Sequence, residues 1–303
     1  MKNFINISDH SSNDLRAIID EAKVRKLKRK NLNKSSPDED KPFEGKSMAM
    51  IFEKPSTRTR MSFDIAVKQL GGSSIVLNPD GIHYGKGDET LKDTAKVLTE
   101  YVDIVMLRTS SHKNLEEFGK HLNIPIINGL SDLGHPCQIM SDILTYEESN
   151  GTIEGKTVAW LGDGNNNMSN SLIEAAGKFN FNLRIACPKK YSPNKKILSW
   201  AKKNKASLIV TTKPDEAVQN SDCVMTDKWV SMNDKVNKKS KKKILKPFQV
   251  NKKLMSKANS DAIFMHCLPV GRGEEVTDEI IDGKQSVVWR QALNRVHAQK
   301  SII

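Results

Sequence analysis

The stretch SMAMIFEKPSTRTR, residues 47–60, shows the repeating unit of the fold. Its first half, SMAMIFE, is a short unbroken apolar run, the pattern of a strand buried on both faces in a parallel sheet. The polar half, STRTR, leads into a helical pattern that ends at Gly71 and Gly72. The stretch therefore predicts a strand, a polar turn at its carboxyl end and a helix, which is one βα unit.

The same alternation continues along the chain and predicts an α/β fold. Further strands are predicted at 103–108, 125–130, 156–162, 183–187, 207–211, 222–226 and 262–266. The pattern pauses near Ser149–Gly151, which predicts two doubly wound parallel-sheet domains, 1–148 and 149–288, followed by a C-terminal helix at 289–303. Polar clusters follow several strands, and ligands bind beyond the carboxyl ends of parallel strands. We therefore expect one active-site cleft between the domains.

Composition narrows the class of protein. The 303 residues are 37% hydrophobic and 28% charged, and no apolar run approaches the roughly 18 residues of a membrane span. The first residues lack the apolar segment of a signal peptide, so we expect a cytoplasmic protein. Four widely spaced cysteines without a C-x-x-C pair argue against a zinc site or a disulfide framework.

The net charge of +12 leaves a nucleic-acid or polyanion binder open as a less favoured hypothesis. Steeply salt-dependent DNA binding without turnover would support it. Basic residues crowd two runs, 22–34 and 234–246, neither of which is interleaved with aromatic residues. We interpret both runs as solvated helix faces.

STRTR has the chemistry of a phosphate site. Only 10 of the 48 Lys and Arg residues are arginine, yet Arg58 and Arg60 stand two positions apart here. Free backbone N–H groups and the dipole at a helix start favour an anion, and guanidinium forks match phosphate oxygens. The alternative is an ordinary N-cap at Ser56 or Thr57 with two exposed arginines. The five residues together favour phosphate.

Other polar clusters suggest an amine substrate. His135 and Gln138, in GHPCQ, are placed to polarise a carbonyl and to recognise an amide group. Asp227 can pair with a cationic amine, and we expect Cys267 beside it, as either a buried small residue or a nucleophile. GDGNNN at 162–167 lacks the third glycine and the later acidic residue of a dinucleotide site, so it is predicted to hold a zwitterionic or carboxylate-bearing substrate.

Together, four motifs resemble those of the aspartate/ornithine carbamoyltransferase family. They are F-x-K-x-S-T-R-T-R at 52–60, H-P-x-Q at 135–138, D-x-W-x-S-M at 227–232 and H-C-L-P at 266–269. The last two distinguish the ornithine branch, and the similarity covers nearly the whole chain. The resemblance implies carbamoyl transfer from carbamoyl phosphate to the δ-amine of L-ornithine, giving L-citrulline and phosphate in arginine biosynthesis or catabolism. It implies no metal and no cofactor.

The resemblance also implies site residues and partners. For carbamoyl phosphate it implies Ser56, Thr57, Arg58, Thr59, Arg108, His135, Gln138, Cys267, Leu268 and Arg295. For ornithine it implies Asn167, Asp227, Ser231 and Met232. The implied catalytic residues are Arg108, His135, Asp227 and Cys267, and Cys267 would not form a covalent intermediate. The first domain would bind carbamoyl phosphate, the second ornithine, and the terminal helix would return to the first domain. The expected assembly is a homotrimer or a group of trimers, without nucleic acid or membrane.

One position departs from the family pattern. The family has glycine after Ser-Met, whereas this chain has Asn233. Asparagine is the least costly replacement if the backbone there has a positive φ. The change leaves open another amine substrate, such as putrescine or an acylated ornithine. The loop 79–89 is expected to lean toward a neighbouring subunit.

Overall fold

The computed structural model describes residues 2–78, 89–230 and 237–303. Its strands are β1 Ser47–Phe52, β2 Ser73–Leu77, β3 Ile104–Arg108, β4 Ile126–Leu130, β5 Thr157–Leu161, β6 Asn182–Ala186, β7 Leu208–Thr211, β8 Cys223–Thr226 and β9 Ile263–His266. Its α-helices are α1 Ser12–Lys28, α2 Thr57–Gln69, α3 Leu91–Tyr101, α4 His112–His121, α5 Pro136–Asn150, α6 Asn167–Phe179, α7 Lys195–Lys203, α8 Pro214–Val218, α9 Lys238–Leu245, α10 Lys252–Met255, α11 Asp278–Ile281 and α12 Val288–Ile302. Within the described ranges, no helix is long and apolar enough to cross a membrane.

Each of two compact units is built around one parallel sheet. The first unit runs to Ser141 and includes Arg295–Ile303, and the second is Asp142–Asn294. The strand orders are β2-β1-β3-β4 in the first unit and β7-β6-β5-β8-β9 in the second. Every paired strand is parallel to its neighbour. The predicted α/β class with two parallel sheets is confirmed.

Burial is one reason why the sequence pattern reveals most of the strands, although the half-exposed edge strand β7 was predicted as well. The predicted strands include the central ones, such as β1, β3, β5 and β8, whose residues are nearly all buried. The strand β2 was not predicted. It lies at the edge of its sheet, its residues are exposed or half-buried, and it follows directly on Gly72. An edge strand of this kind lacks the continuous apolar run that marks a buried parallel strand.

The interpretation of both basic runs as solvated faces is wrong at specific positions. Arg29 is only 8% exposed and its Nη1 lies 2.6 Å from Oδ1 of Asp38. The other carboxylate oxygen of Asp38 lies 2.6 Å from Nζ of Lys300, in α12, and 3.2 Å from Nη1 of Arg25. Lys241, in the second run, is also buried. Burial of a cation is costly unless it is paired, so these residues are specific contacts.

Replacing Asp38 by alanine is expected to destabilise the protein by about 3–5 kcal/mol, because it leaves Arg29 and Lys300 buried without their carboxylate. Thermal or denaturant unfolding measures the change. Asp40→Ala is the matched control. Asp40 is also an acidic residue bonded to Arg25, but it is exposed and its partner is not one of the two buried cations, Arg29 and Lys300. A loss no larger for Asp38→Ala than for the control would show that the Asp38 cluster contributes little.

Candidate active site

In the first unit, STRTR follows β1 as predicted, but the helix begins earlier than predicted, so only Ser56 precedes it and residues 57–60 form the first turn of α2. α2 begins at Thr57, and the Ser56 side chain caps it by accepting a hydrogen bond from the Thr59 backbone N–H at 3.3 Å. The N-cap alternative is thus correct for Ser56, and capping is compatible with anion binding at the same helix start. The two arginines differ, since Arg58 is half-buried and Arg60 is exposed.

Strand register brings a second arginine to this turn. The last residue of β1, Phe52, pairs with Arg108 at the end of β3. Arg108 Nη1 donates to the Thr59 hydroxyl at 3.3 Å. Because both strands are parallel, both of their polar continuations leave the same edge of the sheet.

The Thr59 hydroxyl also receives a hydrogen bond from α12. Arg295 Nη2 donates to Thr59 Oγ1 at 2.9 Å, and Arg295 Nη1 donates to Gln138 Oε1 at 3.1 Å. Thr59, Gln138 and Arg295 are all buried. Together with Arg108, four segments distant in sequence therefore form one polar cluster, in which two guanidiniums donate to a single hydroxyl.

His135 is buried close to the arginines of this cluster. Burial, and then the charges of Arg295, Arg108 and Arg58, hold the pKa of His135 well below its ordinary value of 6.5. A neutral imidazole surrounded by guanidiniums can donate one N–H to a substrate oxygen without competing for its charge. The first unit thus has the electrostatics of a site for a small anion.

Acid is expected to destabilise the protein through its buried neutral histidines. Burial, and then the charges of nearby lysines, lowers the pKa of His297 in α12 to about 3. Both His297 and His135 stay neutral when folded but take up a proton when unfolded below about pH 6.5, so stability is full above that pH and falls below it. His297 should account for about 2 kcal/mol of loss between pH 6.5 and pH 5, and His135 should add a loss of the same sign.

Denaturant unfolding at several pH values between 7 and 5 measures this loss. His297→Gln should make the dependence on pH clearly shallower while leaving the contribution of His135. An equal slope for this variant and the unsubstituted protein would contradict the assignment of His297 as a neutral buried group.

In the second unit, register places Asp227 beside Cys267. Thr226 at the end of β8 pairs with His266 at the end of β9, so the next residues of both strands leave the sheet side by side. The Cys267 thiol donates to Asp227 Oδ1, with Sγ and Oδ1 3.1 Å apart. The predicted proximity is confirmed. A thiol that donates to a carboxylate is protonated, which does not favour a thiolate nucleophile.

A buried histidine and glutamate hold the loop that carries Cys267. His266 Nδ1 accepts a hydrogen bond from the Leu268 N–H at 2.8 Å, so the proton of the neutral ring lies on Nε2, which is 3.2 Å from Glu275 Oε1. Leu268 has φ +59, a left-handed conformation that is costly for a leucine. The pair fixes this strained backbone. Glu275 was not predicted, although two acidic residues shortly after HCLP were a usable signal.

The group around Cys267 also has atoms that can ligate a metal. Ligand atoms of Asp227, His266 and Cys267 lie within 4.8 Å of one another. Both nitrogens of His266 already make hydrogen bonds, to Leu268 and Glu275. A metal would have to displace one of those bonds, so the arrangement fits a hydrogen-bonded network better. The absence of a metal from the reaction stays a prediction.

Of the other residues predicted to bind ornithine, only Asn167 lies within the described residues. Asn167 is the first residue of α6 and is half-buried, directly after the capping residue Asn166. Ser231, Met232 and Asn233 lie outside the described residues, as does nearly all of the loop 79–89.

Comparison with known proteins places both units in one family. Residues 2–148 match the carbamoyl-P binding domain of the aspartate/ornithine carbamoyltransferase family, and residues 154–303 match its Asp/Orn binding domain. The chain belongs to this family.

Relatives of the chain have a more specific name within the family. Ornithine carbamoyltransferase from Brucella ovis is 49% identical over 303 residues, covering 100% of this chain and 95% of that protein. The enzyme of the same name from Nitrobacter winogradskyi is 50% identical over 302 residues, covering 100% and 96%. The structure of ornithine carbamoyltransferase from Pyrococcus furiosus is 42% identical, with a TM-score of 0.93 over 99% of this chain and 95% of that one.

Proposed function

We propose that this protein is an ornithine carbamoyltransferase, which transfers the carbamoyl group of carbamoyl phosphate to the δ-amine of L-ornithine to give L-citrulline and phosphate. The observation that carries the proposal is that each unit contains one polar site. One is the arginine cluster around Thr59, and the other is the Asp227–Cys267 pair. Two relatives of this name, about 50% identical over 95% and 96% of their length, support it.

In this proposal the donor is held by the first unit. The N-terminus of α2 and the side chains of Ser56, Thr57, Arg58 and Arg108 bind the phosphate. His135, Thr59 and Arg108 donate to the carbamoyl oxygen, and Gln138, positioned by Arg295, takes the NH₂ side. Each donor aimed at the developing oxyanion is worth about 3 kcal/mol of barrier.

The acceptor is held by residues of the second unit. Asp227 accepts hydrogen bonds from the δ-amine and Cys267 orients it, while Asn167, Ser231 and Met232 hold the amino-acid end. The neutral δ-amine attacks the carbamoyl carbon, the bond from that carbon to the bridging phosphate oxygen breaks, and the proton lost by the amine leaves with the phosphate. No covalent enzyme intermediate is formed.

The biological setting is part of the same proposal. We expect a homotrimer or an assembly of trimers acting in the cytoplasm in arginine biosynthesis. A similar structure from Campylobacter jejuni, 37% identical with a TM-score of 0.92, is described as an anabolic ornithine carbamoyltransferase. Size-exclusion chromatography with light scattering tests the trimer.

A panel of amines tests the substrate. Phosphate release from carbamoyl phosphate is followed with L-ornithine, putrescine and N-acetyl-ornithine, with product identified by mass spectrometry. We expect L-ornithine to be preferred by kcat/KM, because only it has both a free α-amine and a carboxylate beside the δ-amine. A preference for putrescine or the acylated amine would establish the alternative substrate and reject ornithine.

A further inference from the structure

One lysine of the second basic run is buried and ion-paired. Lys241 in α9 is 5% exposed, and its Nζ lies 2.7 Å from Oδ2 of Asp163. The same ammonium lies 5.2 Å from the centre of the Tyr191 ring. Lys239 and Lys243 on the same helix are exposed. Since burying an ammonium is costly unless it is paired, Lys241 has a role that its neighbours lack.

Its partner Asp163 organises the loop between β5 and α6. The backbone oxygen of Asp163 accepts a hydrogen bond from Trp160 Nε1 at 2.9 Å, and its Oδ1 accepts one from the Asn165 N–H at 2.9 Å. Its other carboxylate oxygen, Oδ2, pairs with Lys241. The loop ends at Asn166, which caps α6, and Asn167 follows as its first residue.

The neighbouring lysine attaches α9 to a second loop. Lys242 forms an ion pair with Glu274. The next residue, Glu275, bonds to His266 and so holds the backbone at Leu268. Two successive lysines of α9 therefore contact the two loops that carry Asn167 and Cys267.

We propose that Lys241 is a positioning residue for the amino-acid acceptor, acting through Asp163 on the loop that presents Asn167. The inference rests on the proposed function. Without the ammonium, the Asp163 carboxylate is left buried and uncompensated, so the loop must open to hydrate it. Asn167 then moves with the loop, and a small displacement of a substrate-holding group is enough to lower turnover strongly.

Steady-state kinetics on Lys241→Met and Asp163→Asn test the proposal, with Lys239→Met as the matched exposed control. We expect kcat/KM for ornithine to fall about 10- to 100-fold in both variants while KM for carbamoyl phosphate stays within about threefold. The control should match the unsubstituted protein. Lys241→Arg, which keeps the charge, should restore most of the loss, and the double variant should be no worse than either single one.

Hydrogen exchange gives a readout that is independent of activity. Backbone amides of residues 162–169 should exchange faster in Lys241→Met than in Lys239→Met. If Lys241→Met does not fold, Lys241→Gln is used, and the same selective effect on ornithine is expected. An unchanged kcat/KM for ornithine, or equal losses for both substrates, would overturn the proposal. Failure of the unsubstituted protein to make citrulline would instead refute the proposed function.

Discussion

Arg58→Ala is expected to lower kcat/KM for carbamoyl phosphate by about 100- to 1000-fold, the loss typical of one removed transition-state donor. Arg58 lies in the first turn of α2, and its charge is among those that lower the pKa of His135. Its guanidinium is therefore close to the site where phosphate would bind. Initial rates over a range of carbamoyl phosphate concentrations at saturating ornithine measure the loss.

Arg60→Ala is the matched control for this variant. Arg60 is on the same helix, two residues later, but it is exposed. An exposed charge contributes at most about 1 kcal/mol, so the control should lose less than about fivefold. Equal losses for the two variants would show that STRTR acts through general positive charge. An unaffected Arg58→Ala would remove Arg58 from the site.

Asp227→Asn is expected to lower kcat/KM for ornithine by about 100-fold, as for loss of a hydrogen bond to a charged group that is worth up to about 3 kcal/mol. The amide keeps an oxygen that can accept from the Cys267 thiol, so the loop geometry is retained while the charge is removed. KM for carbamoyl phosphate should change much less. An equal fall for both substrates would argue that Asp227 is structural.

Substitution of Cys267 separates positioning from covalent catalysis. Cys267→Ser keeps a donor to Asp227 and should retain more activity than Cys267→Ala, which removes it. Both should turn over measurably, because in the proposed mechanism the δ-amine of ornithine, and not the thiol, is the nucleophile. Detection of a carbamoyl thioester on the unsubstituted enzyme by mass spectrometry, or complete loss of turnover in both variants, would overturn the non-covalent role.

Much of the fold was predictable because central parallel strands are buried on both faces and so have continuous apolar runs. β1 and β8 are of this kind, whereas the exposed edge strand β2 is not. Part of the site was predictable for a related reason. Residues that follow neighbouring parallel strands leave the same edge of the sheet, which places Cys267 beside Asp227.

Contacts between segments that are distant in the sequence could not be predicted from local sequence patterns. Arg295 bonds to Thr59 across 236 positions, and only the family resemblance pointed to it. Lys241 was missed because a lysine run has the same composition whether or not one of its members is buried. Helical spacing was the available clue, since Lys241 lies one turn before the buried Leu245 and therefore on the same face of α9.

Transfer of a labelled carbamoyl group tests the central claim most directly. The purified protein is incubated with ¹³C-carbamoyl phosphate and L-ornithine, and the products are followed by NMR and mass spectrometry. The account predicts L-citrulline with the label in its δ-ureido carbon, and one phosphate released for each citrulline formed. Phosphate release without labelled citrulline, or label on another amine in preference to ornithine, would contradict it.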